Sequence, residues 1–175
     1  MSTALALRRR PIDAALAVFF TASVAYGFLF SLPEGLGVPV SPDSPWPPLR
    51  ALHAWAVAQE PAHLDPPPIL IANCLLDGFV YAPFGVFLVY ALVRGRRWIR
   101  LPAFLYAGSA VTNMFLYFTQ TFLGPHPPLE LAPYLGFNLP WLLAPIVLAG
   151  RLRRRDPFAA RPAARRRLPR AGPAW

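Results

Sequence analysis

Asn73, Asp77 and Tyr81 recur at steps of four residues, which stacks an amide, a carboxyl group and a phenol on one face of a helix. Such a trio can anchor the polar end of a ligand or handle a proton. Asp77 is the sole charged side chain in Ile69 to Val93, an apolar run of about 25 residues and long enough to cross a hydrocarbon core. A carboxyl group near the middle of such a helix costs roughly 2.5 to 3.5 kcal/mol against lipid, so it is expected to point into a bundle. Phe84 and Leu88 continue the same stripe.

Other apolar runs carry a second set of candidates. Tyr106, Ser109, Asn113, Tyr117 and Gln120 follow spacings of 3, 4, 4 and 3, and Tyr134, Asn138 and Trp141 share a further helical face. Tyr26 and Phe30 offer aromatic groups from the first run. Any one of these is most simply a packing contact. Together they describe an aromatic cavity with a few polar anchors, the usual make-up of a small-molecule pocket. The expected ligand-binding set is Asn73, Asp77, Tyr81, Asn113, Tyr117, Gln120, Asn138, Trp141, Phe30 and Tyr26, with Asp77 the catalytic acid or base if a reaction occurs. The plainer alternative makes Asp77 helix glue, hydrogen-bonded to Asn113 or Tyr117.

Four segments must position these groups. Spans are expected at 14–32, 69–93, 101–123 and 131–150, after a basic N-terminus over 1–13 and before an Arg-rich, disordered tail over 151–175. The first run is too long for a signal-peptide core and lacks a small-x-small cleavage site. Between spans one and two lies a Pro-rich connection, 33–68, where 49–59 can form a short interfacial helix with Trp46 and Trp55 at headgroup level. Pro133, Pro140 and Pro145 imply kinks in span four.

The 175 residues are 55% hydrophobic, which excludes an ordinary soluble domain. All seventeen basic residues are arginine, and most sit beside apolar runs: Arg8 to Arg10, Arg94 to Arg100, and the tail. That alternation orients a multi-pass protein with both termini cytoplasmic, as in a bacterial plasma membrane, and points to anionic lipid at the tail rather than to nucleic acid. The single Cys74 allows no intrachain disulfide. His53, His63 and His126 fall in the outer connections without metal-ligand spacing, and neither a metal nor a cofactor is expected.

Three stretches carry a family resemblance. Asp77 precedes Pro83 by six residues, with Ala-Pro-Phe at 82–84; Trp-Ile-Arg-Leu-Pro at 98–102 is followed by Tyr106; and Pro-Trp-Leu-Leu-Ala-Pro at 140–145 follows Asn138. With Leu-Tyr-Phe at 116–118, the order and spacing resemble the EXPERA superfamily, which holds the emopamil-binding sterol isomerase and the sigma-2 receptor. The resemblance implies a four-helix membrane fold, a pocket opening within the bilayer to sterols or similar amphiphiles, and a homodimer as one option. It also implies that Asp77 takes the role of the second-span acid while Asn138 and Trp141 line the cavity. The acid that relatives carry near the end of span one is expected to be replaced by Phe30, leaving a single buried acid, with Cys74 near a second acidic position and Glu60, at the outer mouth beside a loop acid of the relatives, as the less favoured substitute.

The sequence therefore reads as an all-α membrane protein, a four-transmembrane-helix bundle with kinked helices and an intramembrane pocket for a sterol-like or isoprenoid ligand. Two rivals remain: a double-bond isomerase using Asp77 through Tyr81 or Tyr117, and a non-catalytic helical partner subunit.

Overall fold

The computed structural model describes residues 6–158. Four helices are long and apolar enough to cross a membrane: α1 (Pro11–Gly35), α3 (Pro68–Arg94), α4 (Arg97–Leu123) and α5 (Leu131–Leu152). A shorter amphipathic helix, α2 (Pro47–Ala58), sits in the long connection and buries Leu49, Leu52 and Ala56. Proline opens α1, α2 and α3 at the first helical position, where its missing N–H costs nothing. Gly95, at φ +64°, stops α3 in the left-handed conformation, and α4 begins almost at once, so the two run antiparallel.

Proline also shapes α1 and α3 from within. Each carries a π turn, Gly27–Ser31 in α1 and Asp77–Tyr81 in α3. Both turns end two residues before a proline, Pro33 and Pro83. A helical proline offers no N–H to the carbonyl four residues back and crowds it, and widening the preceding turn accommodates the mismatch. The orphan carbonyl of Leu29, four residues before Pro33, accepts instead from Trp46 Nε1 at 2.6 Å. α5 remains helical through Pro140 and Pro145.

The spans pack as two pairs, α1 on α3 and α4 on α5, with sparser contact between the pairs. Small residues let α1 and α3 approach closely: a Cβ on Gly27 would lie 2.7 Å from Ala82 Cβ, and one on Gly78 would lie 2.6 Å from Leu32 Cβ. Large apolar side chains such as Val18, Phe87, Leu105 and Phe115 face outward, as lipid-facing surfaces do.

At the basic end Leu16, Phe20, Leu88, Leu92, Ile99, Leu148 and Leu152 form one core cluster. Asp13, fully buried, binds Arg10 Nη1 at 2.9 Å and Arg151 Nε at 2.7 Å. Arg10 also caps the C-terminus of α3, donating to the carbonyls of Leu92 and Val93. Phe158 is buried after α5, with the Arg10 and Arg151 guanidinium groups over its ring. The disorder expected of the tail concerns, beyond Phe158, residues outside those described. At the opposite end Ala62, Leu70, Cys74, Tyr117 and Tyr134 form a second cluster.

Candidate functional site

Between the two clusters lies a cavity of about 110 Å³ walled by all four spans. Asn73, Asp77 and Tyr81 of α3, Asn113 and Tyr117 of α4, Asn138 and Trp141 of α5, and Tyr26 of α1 all line it. Phe30 and Gln120 do not. Phe30 stacks on Tyr26 with ring centroids 5.0 Å apart, while Gln120 lies below the helix end at Gly124. The four-residue steps on α3 persist through the π turn because it widens the helix just where Asp77 begins it.

Asp77 meets neither Asn113 nor Tyr117 among its hydrogen-bond partners. Its Oδ2 accepts from Ser31 Oγ at 2.5 Å, across the close α1–α3 contact. Tyr81 is joined to Ser109 at 2.7 Å between hydroxyl oxygens, bridging α3 and α4 near the outer surface. Tyr117 donates instead to Glu60 Oε1.

The expectation of a single buried acid is corrected by the outer end of the cavity. Glu34, one turn beyond Phe30, and Glu60, in the connection after α2, are both buried, 3% and 1% exposed. Span one therefore does bring an acid inward, but at Glu34 rather than at the position of Phe30. A solvated loop was the natural reading because Gly35, Gly37 and several prolines surround these acids. Instead the connection folds back under the helix ends, tied down by Leu129 N–H to Gln59 O at 3.0 Å.

Between the two carboxylates sits His63, also buried and part of the cavity wall. Its Nδ1 is 2.7 Å from Glu34 Oε1 and its Nε2 is 3.9 Å from Glu60 Oε2. Burial works against the charged imidazolium, but the hydrogen bond to Glu34 and the charges of Glu34 and Glu60 outweigh it, so the pKa of His63 is raised. Trp55 Nε1 donates to Glu60 at 3.0 Å, and Cys74 Sγ lies 3.6 Å from Glu34 Oε2. Two sequence signals bear on this group: the likeness of Glu60 to a loop acid of the relatives, and His63 three residues after it, directly beyond an amphipathic helix. Among the described residues no group of His, Cys, Asp and Glu is arranged to hold a metal ion.

The cavity is not sealed. Phe137 in its wall is 38% exposed, and the Tyr81–Ser109 bridge reaches the outer surface. Polar groups thus stand at two stations of an aromatic chamber, Ser31 with Asp77, and His63, which Glu34 backs from outside the cavity lining. Residues 52–152 match the profile described as EBP: EXPERA (EXPanded EBP superfamily). The chain belongs to the EXPERA superfamily. It is accordingly an integral, multi-pass membrane protein, and the matched region runs from α2 to the last residue of α5. No curated protein matches the chain.

Proposed function

We propose that this EXPERA protein binds a sterol-like or other lipidic small molecule, with the ligand's polar or ring end held in the chamber by Asp77. The observation that carries this reading is the chamber itself: a void beside a carboxylate, lined by Tyr26, Tyr106, Phe137 and Trp141 and open toward the outer surface. Its size sets a condition. An apolar cavity of about 150 Å³ holds benzene, so the 110 Å³ seen here is too small to enclose a whole sterol. The remainder must leave by the gap between the helix pairs or spread it. The arginine clusters favour a cytoplasmic position for both termini.

A second reading, favoured by the His63–Glu34 pair, is isomerisation of a double bond. That reaction adds a proton at one carbon and removes one from another, with cationic charge between them. A charged His63 can donate and Asp77 can accept; both line the chamber. A relay through Tyr117 is less direct, since its hydroxyl is given to Glu60.

The test is native mass spectrometry of the detergent-solubilised protein, then incubation with a sterol or polyprenoid. Retention of an unconverted lipid, lost in Asp77→Asn with folding preserved, supports the binder. Conversion abolished by Asp77→Asn and by His63→Gln assigns the enzyme. No retained lipid together with a higher melting temperature for Asp77→Leu overturns both and leaves a packing role.

A further inference from the structure

The basic end holds a second cleft, of about 490 Å³, between the start of α1 and the end of α5. At this end Arg10 and Arg151 pair with Asp13, Arg97 with Asp156 at 2.7 Å, and Arg100 with the carbonyls of Leu152 and Arg153, while Arg8, Arg94, Arg96 and Arg155 lie outside the cleft lining. Arg9, Arg153 and Arg154 are different. They line the cleft, are exposed, and make no ion pair or side-chain hydrogen bond among the described residues. The acid on the rim, Asp156, is the one already paired with Arg97. Three uncompensated guanidinium groups around one concavity make a receptor for a phosphate group, whose oxygens match their forked donors.

The rest of the cleft says which phosphate. Its wall continues onto Ile12 and Val147, 51% and 47% exposed, which belong to the outward faces of α1 and α5. Pro11 opens span one and Leu152 closes span four, so the arginines lie at the level where headgroups meet acyl chains. A free anion would use the arginines and leave the apolar wall wet. We propose that this cleft is a discrete site for one anionic phospholipid, its phosphodiester held by Arg9, Arg153 and Arg154 and an acyl chain laid over Ile12 and Val147.

The experiment titrates phosphatidylglycerol and phosphatidylcholine onto the full-length protein in detergent, read by native mass spectrometry. One phosphatidylglycerol per chain is expected, held well above phosphatidylcholine. Each juxtamembrane arginine contributes about fivefold in affinity, so Arg9→Gln/Arg153→Gln/Arg154→Gln is expected to weaken binding on the order of 100-fold. The single variant Arg153→Gln should give about a fivefold loss and serves if the triple variant melts early. Neutralising Arg161, Arg165, Arg166, Arg167 and Arg170 instead should leave the one-lipid complex in place. Loss of binding on neutralising those tail arginines, equal retention of phosphatidylcholine, or displacement of the lipid by equimolar inorganic phosphate would each overturn the proposal.

Discussion

Ser31 closes the π turn of α1, Asp77 opens the π turn of α3, and the hydroxyl of the first donates to the carboxylate of the second at 2.5 Å. Two helical irregularities thus meet at the chamber wall, each placed by a proline two residues downstream. Ser31→Ala removes the side-chain donor from a carboxylate shielded from water, so a stability loss of about 1–3 kcal/mol is expected. Asp77→Asn keeps an acceptor for Ser31 and should melt within about 1 kcal/mol of the parent. If Ser31→Ala melts with the parent in detergent, the contact does not hold the two turns together.

Close approach of α1 and α3 makes a separable prediction. Gly78→Ala puts a methyl 2.6 Å from Leu32 Cβ and 2.9 Å from Leu32 Cα, with backbone that cannot step aside cheaply. Overpacking of this kind costs about 1–3 kcal/mol. Gly108→Ala in α4 meets nothing within 4 Å and should be neutral or stabilising by up to about 1 kcal/mol, since alanine is the better helix former. Thermal melting of the two variants side by side checks the pair; equal melting temperatures would contradict the contact.

The spans and the inward stripe of α3 were legible because length, hydropathy and a four-residue period are local properties of the chain. Asn73, Asp77 and Tyr81 therefore reach the chamber as their spacing required. What was not legible depends on tertiary closure. Glu34, Glu60 and His63 are polar residues in a Pro-rich connection, and nothing local distinguishes a solvated acid from one folded beneath helix ends. Trp46 shows why the connection comes back: its indole satisfies a carbonyl that Pro33 orphaned. The π turns were missed for a similar reason. Pro83 lies inside the second span, but whether a proline bends or widens a helix depends on what packs opposite, here Gly27 and Leu32.

His63 gives a pH signature outside the spans. Its pKa is raised in the folded protein, because the Glu34 hydrogen bond and the two carboxylate charges overcome the burial that would lower it. A group with a raised folded pKa contributes stability in full below its unfolded value, about 6.5 for histidine. That contribution is lost as pH rises through the higher folded value. The melting temperature should therefore decline as pH rises above about 6.5, and His63→Gln should remove this part of the decline. A parent protein whose melting temperature is flat or climbs across that window would show that His63 is not held charged by its neighbours.

The strongest single destabilisation is expected far from the chamber, at Asp13. Its carboxylate is the shared counter-charge for Arg10 and Arg151, and through them it fixes the C-terminus of α3 and the buried ring of Phe158. Asp13→Ala removes a counter-charge shared by the Arg10 and Arg151 guanidinium groups, the first only 5% exposed. Breaking a buried ion pair from one side costs about 3–5 kcal/mol. Asp13→Asn keeps a hydrogen-bond acceptor but not the charge and should fall between Ala and the parent. Because the cluster lies at the end opposite Glu34 and His63, retention of a lipidic ligand should survive Asp13→Asn at temperatures below its lowered melting point. Ligand loss at such temperatures, with helicity intact by circular dichroism, would show that the two ends are coupled through α1 and α3.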